Sequence, residues 1–359
     1  MQKKIKDMLI YAALCGHFMA EATQDLDLAI TLDSVSNVDG GLAQSTETLI
    51  NIDLIYANQF SEDIDGFIYV IADYGGDPSV NIGDAQVTDN IESADTTKIY
   101  EAWMRYKLNE SYSFTFGLHD YNSKFYTIES SSSLINSSFG IGPDTSQVGP
   151  SIFSTTALGL ISSFETSSNY WHLGIYDGVP GDPDDESGTH IKLGGNDGVF
   201  TGFEWGVLSS EKFLKLGFGA WYHTAKVISP IDGTAFDRNS GAYVIAESKM
   251  SKDASWFFQL GSAKPSKNIV DKYLGLGITF NGVYKRRDKL SVGLAHAKPT
   301  SKVLVLAKSE SAIELTYQLP LNNGVILQPD IQYILNPGFS SDIDNAIVFT
   351  FRFIYQKAF

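Results

Sequence analysis

The sequence has almost no cysteine, and its body lacks any long hydrophobic run. Cys15 is the single cysteine of 359 residues and lies in the N-terminal segment, which excludes a disulfide framework and a cysteine-based metal site. No later stretch approaches about 18 consecutive apolar residues, so a transmembrane helix is excluded. P-loop, dinucleotide and zinc spacings are absent. A net charge of -16 argues against nucleic-acid binding.

The N-terminus has the pattern of a secretory signal. Three lysines precede an apolar run from Met8 to Met19, and Ala20-Glu21-Ala22 follows as a cleavage site. About a dozen apolar residues are too few for a membrane anchor, because a bilayer core is about 30 Å thick. We therefore predict an exported protein, with residues 1–22 removed and a single domain over residues 23–359.

Alternation of apolar and polar residues is abundant. Aromatic residues make up 13% of the chain and glycines number 32, a composition that suits many strands joined by turns. About sixteen alternating runs follow the signal, an even number as bacterial barrels require. They start near Leu26, Leu49, Phe67, Lys98, Tyr112, Thr156, Tyr170, Val199, Phe213, Gly241, Ser255, Tyr273, Lys289, Ala312, Gly324 and Ala346.

The last of these runs indicates the environment of the sheet. Ile347, Phe349, Phe351 and Phe353 alternate with polar residues, and the chain ends on Phe359. A soluble sheet rarely has so aromatic an apolar face, whereas bacterial outer-membrane barrels carry aromatic girdles. The sequence therefore predicts an all-β fold, a transmembrane antiparallel β-barrel of about 16 strands in the bacterial outer membrane.

The connections between the runs alternate between short and long. Insertion from the periplasmic side leaves only the outer rim free to carry extended loops, so we predict short periplasmic turns and long extracellular loops. The longest connection runs from Asp120 to Thr155 and contains apolar residues that suit packing against a wall. We favour a loop folded into the lumen, where it narrows the channel, over a solvated external loop.

Period 2 sorts each strand into a lipid face and a lumen face. In the fourth run the sorting puts Tyr100, Ala102, Met104 and Tyr106 outward. The lumen then receives both signs of charge: Asp53, Glu101, Glu204, Glu314, Asp330, Arg105, Lys107, Lys215 and Arg352. Sugars offer hydroxyls that donate and accept hydrogen bonds and a ring face that stacks on indole such as Trp103. The alternative is that opposed charges only keep the lumen of a general porin hydrated.

Three segments resemble the carbohydrate-selective porin family. They are QPDIQYILNPG at residues 328–338 with the closing strand that carries Arg352, GLHDYNSKF at residues 117–125, and YDGVPGDP at residues 176–183. The resemblance implies a sixteen-stranded outer-membrane barrel that passes monosaccharides or related small polar solutes by facilitated diffusion. The positions carried over from the family are Asp120, Asn122, Phe125, Pro329, Asp330, Gln332, Asn336 and Pro337.

The sequence thus predicts a porin for passive diffusion of small hydrophilic solutes, carbohydrates first. A general or ion-selective porin and a surface adhesin or structural barrel with a filled lumen stay open as alternatives. The predicted pore-lining and solute-binding residues are Glu101, Trp103, Arg105, Lys107, His119, Asp120, Asn122, Phe125, Gln328, Asp330, Gln332 and Arg352. Among them, Arg105 and Arg352 are expected to set the ion preference, and their loss is expected to leave the barrel folded.

No enzyme, cofactor or metal site is predicted. The histidines show no nucleophile motif, and no G-x-S-x-G occurs. The acidic runs at residues 62–66 and 182–186 lack the spacing of a calcium-binding helix-loop-helix. The expected partners are sugars or other small polar solutes, outer-membrane lipid, periplasmic chaperones and the barrel-assembly machinery, with a homo-oligomer left open.

Overall fold

The computed structural model describes residues 24–189, 191–192, 195–209, 214–303 and 308–359. The predicted signal lies outside these ranges, so its removal stays a prediction. Among the described residues, no helix has the length and apolarity that a bilayer crossing requires.

In the described ranges, sixteen antiparallel strands pair in chain order and close into one barrel, with the first strand bonded to the last. The strands are β1 Gln24–Gly41, β2 Ser45–Gln59, β3 Ile64–Gly75, β4 Thr96–Lys107, β5 Tyr112–His119, β6 Ala157–Glu165, β7 Asn169–Asp177, β8 Val199–Ser209, β9 Leu214–His223, β10 Asn239–Lys249, β11 Ala254–Ala263, β12 Val270–Asn281, β13 Lys289–Pro299, β14 Glu310–Pro320, β15 Val325–Leu335 and β16 Asp344–Ala358. Each predicted run coincides with one strand within a few residues, and only the start at Phe213 lies outside the description. The predicted fold class is confirmed.

Short elements lie in the connections. Between β9 and β10, Val227–Ile228 pairs with Ala235–Phe236 as a small ribbon. Within the described residues, the helical pieces are α1 Pro78–Ile82, α2 Pro143–Ser146 and three 3-10 turns, Tyr121–Ser123, Ser137–Phe139 and Pro337–Phe339. α1 lies between β3 and β4, and α2 lies between β5 and β6.

The side chains of the closing strand alternate as predicted. Phe349 and Phe351 are about half exposed on the outer surface, whereas Thr350 and Arg352 are buried inside the barrel. In a bilayer the exposed rings would contact lipid, and burial of an unpaired Arg on that face would cost about 2–4 kcal/mol at the midplane. This cost therefore determines which side chains of β16 face lipid and which face the inside of the barrel.

Tyr100 is an exception to the predicted sorting. The sequence puts it outward with Ala102, yet it is buried inside the barrel beside Glu101. The register between β3 and β4 shifts at this point, so that Tyr69 faces Glu101 and Val70 faces Ile99. The extra residue forms a β-bulge, which turns two successive side chains to one face.

Arg352 joins the two ends of the barrel wall to an inner segment. Its guanidinium donates to the Asp33 carboxylate on β1 at 2.6 Å and to Asp89 at 3.0 Å, and both acids are fully buried. Asn90 accepts a further bond from the same nitrogen. This differs from the expectation that Arg352 faces open lumen, because the residue is 4% exposed and its guanidinium is bonded to these buried partners.

We predict that Arg352→Ala destabilises the barrel. The substitution leaves Asp33 and Asp89 buried without a counter-charge, and breaking a buried pair in this way costs about 3–5 kcal/mol. Urea unfolding of the refolded protein in lipid vesicles, followed by tryptophan fluorescence, measures the effect. Arg105→Ala is the matched control, since its partner Asp65 keeps Lys107. Equal unfolding midpoints for the two variants would show that the bonds of Arg352 to Asp33 and Asp89 do not stabilise the barrel.

Candidate functional site

The connection between β5 and β6 folds into the barrel. This inner loop, residues 120–156, buries Tyr121, Phe125, Tyr126 and Ile135 completely and leaves 1% of Phe139 exposed. Its backbone is hydrogen-bonded to side chains of the strands from β8 to β12 and of β14 and β15. The expectation that the longest connection enters the lumen is confirmed.

Carboxylates of the wall hold the inner loop. Glu204 on β8 accepts a bond from the Tyr126 N–H at 2.7 Å, and Glu247 on β10 accepts one from Ser130 at 2.8 Å. Glu314 on β14 accepts from two successive N–H groups, those of residues 135 and 136. A carboxyl group has two oxygens and can accept bonds from neighbouring N–H groups. These acids therefore position the loop, which differs from the expectation that Glu204 and Glu314 face the lumen.

A second connection also enters the barrel, which the sequence does not predict. This second inner loop, residues 76–95, donates N–H groups of residues 85 and 86 to Glu310 on β14. It contacts the first loop directly, because the Asn90 N–H donates to the Ile135 carbonyl at 2.9 Å. Its buried residues include the polar Gln86, Thr88 and Asp89. Ile82 and Ile91 are buried beside them, so the apolar signal of this loop is limited to two isolated isoleucines.

Several lumen-facing side chains of β3 and β4 are partly exposed, although Phe67 is 8% exposed and Glu101 5%. We call Phe67, Tyr69, Trp103, Arg105 and Lys107 the open wall. Phe67 stacks on Trp103 with ring centroids 4.8 Å apart, and the side chains of Arg105 and Lys107 are 23% and 32% exposed. Lumen-facing residues at the level of the loops on β8 to β16 are buried by comparison. The partly exposed interior side chains therefore lie on β3 and β4, and we infer that a passage runs beside these strands.

Opposite charges are paired along this passage. Asp65 binds Arg105 at 2.5 Å and Lys107 at 2.9 Å, and Asp53 accepts a bond from the Tyr69 hydroxyl at 2.7 Å. Lys124 from the inner loop and Glu165 on β6 form a further pair 2.8 Å apart, with both side chains partly exposed. The passage thus combines hydrogen-bond donors, acceptors and aromatic surface without a strong excess of one sign.

The model of the carbohydrate-selective porin, OprB family matches residues 29–356. The chain belongs to this family. Porin B of Pseudomonas aeruginosa is 25% identical over 226 residues, half of each chain, so the alignment spans about half the length of that relative. The high-pH structure of Pseudomonas putida OprB has a TM-score of 0.80 at 17% identity, covering 93% of this chain and 94% of that one. The channel DcaP of Acinetobacter baumannii has a TM-score of 0.59 at 10% identity, covering 95% and 100%.

Membership of the OprB family implies a channel rather than an enzyme and places the barrel in the bacterial outer membrane. The two solved structures are only 17% and 10% identical to this chain, so they support its fold and nothing more specific. On porins of this type the short connections form the periplasmic rim and the long ones the outer rim.

The first motif of the OprB resemblance shapes the entry of the inner loop. The Asp120 carboxylate accepts a bond from the Asn122 N–H, and the Asn122 side-chain amide donates to the carbonyls of Phe125 and Gly140. Phe125 stacks on Tyr121 at 4.4 Å and is fully buried. These three predicted residues therefore hold the loop, and Phe125 has no surface left for a solute.

The second motif of the porin, residues 328–338, contacts both inner loops. Gln328 donates to the Ser133 carbonyl of the first loop, and Gln332 donates to the Thr88 carbonyl of the second. Asp330 lies between them and is buried, at 4% exposure. Two other predicted lining residues are also enclosed: Glu101 accepts from the Asp120 N–H, and His119 lies within 3.3 Å of the Tyr176 hydroxyl. Trp103, Arg105 and Lys107 are thus the predicted strand residues that stay partly exposed, and Asp120 and Asn122 at the entry of the inner loop are half-buried.

Several acids in the inner loops are protonated more readily than usual. Burial raises the pKa of Asp144 to about 7, because its carboxyl group packs directly on Gly261 of β11, where a Cβ would overlap it. Burial and the neighbouring Glu310 raise the pKa of Asp84 to about 7, and burial does the same for Glu92. The protonated form of such an acid favours the packed loop over an opened loop. This stabilisation is complete below the ordinary pKa, 3.8 for Asp144, and it is lost as pH rises through 7.

We therefore expect the inner loop around Asp144 to open more readily at pH 8 than at pH 5. Hydrogen exchange of the loop amides, corrected for the intrinsic pH dependence of exchange, measures the change. Asp144→Asn should remove the pH dependence around this site, because the amide fits the same space and does not titrate. Asp232→Asn in an outer loop is the control that should change nothing. Equal protection at both pH values in the unmodified protein would contradict the expectation.

Proposed function

We propose that this porin lets small polar solutes, sugars first, diffuse passively through the outer membrane. The observation that supports the proposal is the open wall, where the Phe67 and Trp103 rings adjoin the paired charges of Arg105, Lys107 and Asp65. Stacked rings offer an apolar face to a sugar ring, and the flanking groups both donate and accept hydrogen bonds. A balanced set of charges suits a neutral polyhydroxyl solute better than an ion of either sign.

The position of the loops supports a narrow passage rather than a filled barrel. Most of the bonds that hold the inner loops come from β8 to β12 and β14 to β16, whereas the side chains of Trp103, Arg105 and Lys107 keep exposed surface on β4. A structural barrel without transport would have no need for polar side chains exposed inside it. Dependence on periplasmic chaperones and the assembly machinery stays a prediction, and the oligomeric state stays open.

We expect Trp103→Ala to weaken block of the ion current by sugars in planar bilayers about 3- to 10-fold, because an aromatic contact contributes about 0.5–1.5 kcal/mol. Arg105→Ala should shift ion selectivity toward cations while the barrel stays folded. Trp205→Ala is the matched control, since Trp205 lies on the outer surface against Phe218.

Each alternative function has its own outcome in this experiment. A wild-type protein that gives no conductance steps would indicate a filled barrel. Conductance without sugar block would indicate a general porin. Sugar block that survives unchanged in Trp103→Ala would place the solute contact away from the open wall.

A further inference from the structure

Positive charge is concentrated on one arc of the periplasmic rim, in a chain whose net charge is -16. The turn between β10 and β11 and the turn between β12 and β13 are neighbours, because the Asn281 N–H donates to the Asp253 carbonyl at 2.7 Å. We call the bases at these two turns the basic rim patch: Lys249, Lys252, Lys285, Arg286, Arg287 and Lys289. The turns after β2 and β4 carry acids instead, Glu62, Asp63 and Glu110.

The second of these turns has a fixed conformation. The Asp288 carboxylate is fully buried and accepts bonds from the N–H groups of Val283, Tyr284 and Lys285 at 2.6–2.8 Å. A carboxylate that satisfies three successive N–H groups holds the backbone in one arrangement. The exposed bases of the turn between β12 and β13 are therefore held on an ordered backbone.

The same turn is held toward the lipid side of the rim. The Tyr317 hydroxyl on β14 donates to Asp288 at 2.5 Å. Tyr317 has the outward parity of its strand, since Ile313 and Leu315 are each 44% exposed while Thr316 is buried. A turn bound to an outward side chain near the strand end lies where the bilayer interface begins.

Apolar side chains accompany the charges. Tyr284 is 81% exposed, and Val283 and Met250 are each more than half exposed on the same two turns. Aromatic rings and long cationic side chains are the residues that anchor proteins at a membrane interface, with the ring at headgroup level and the cation on phosphate. A soluble acidic partner would explain the charge but not the outward tilt of the turn.

We propose that the basic rim patch binds the phosphate groups of anionic phospholipids in the periplasmic leaflet of the outer membrane. The bases supply the attraction, Tyr284 enters the headgroup layer, and the Asp288 network keeps the turn in place. Such a site would hold the barrel at a defined depth on this arc and would favour anionic over zwitterionic lipid.

The test uses the folded full-length mature protein in detergent micelles, with phosphatidylglycerol or phosphatidylcholine added. The wild type should bind phosphatidylglycerol at least about 10-fold more tightly than phosphatidylcholine, measured by native mass spectrometry, and 0.5 M salt should reduce the difference. The triple variant Lys285→Ser, Arg286→Ser, Arg287→Ser should lose the preference. The control variant Lys226→Ser, Lys264→Ser, Lys302→Ser removes equal charge from outer loops and should keep it.

Single variants Lys285→Gln and Arg286→Gln should each show a partial loss, which keeps the test decisive where the triple variant fails to fold. Equal affinity for the two lipids in the wild type, or an unchanged preference in folded variants, would overturn the proposal. So would a periplasmic protein that crosslinks to a photoreactive residue at position 284 while the variants keep their lipid preference, because the patch would then serve a protein partner.

Discussion

Backbone N–H groups of a loop that enters a barrel lose access to bulk water and must find other acceptors. In this porin the wall supplies them as carboxylates: Glu204, Glu247 and Glu314 for the inner loop, and Glu310 for the second. An unsatisfied buried N–H costs about 1–3 kcal/mol, so several such groups together would expel the loop from the lumen. The depth and path of both loops, and hence the shape of the passage, follow from where these four acids stand on the strands.

Because these acids are buried, the net charge of the chain does not predict the ion preference of the passage. A net charge of -16 suggests a lumen that attracts cations, yet the wall acids that bind the loops are buried and have N–H groups as their partners. At the passage itself Asp65 is shared by Arg105 and Lys107, so the local balance differs from that of the whole chain. Ion preference is therefore governed by a few partly exposed side chains and not by the total charge.

The sequence predicts the barrel well because alternation with period 2 is a local property that each strand repeats, as β16 does with Phe349 and Thr350. It fails at Tyr100, since a bulge depends on the register with β3, which no single strand reveals. The alternation pattern also assigns Glu314 and Arg105 to the same class, polar side chains that face inward. Only the path of the loops separates an acid that binds backbone from a base that meets the passage. The sequence does not predict the second inner loop, because polar residues such as Thr88 make up much of its buried surface and only Ile82 and Ile91 give an apolar signal.

The barrel wall therefore has two parts with different freedom to vary. Gln328, Gln332 and Arg352 each bond to an inner loop, so a change at any of them moves the loop and with it the whole passage. The open wall makes its contacts mainly among neighbouring strands, as Phe67 does with Trp103. Substitutions there can alter which solute is preferred while the loops keep their anchors. In this chain a change at Trp103, Arg105 or Lys107 can therefore act on the passage directly, whereas a change at a loop-binding residue also acts on folding.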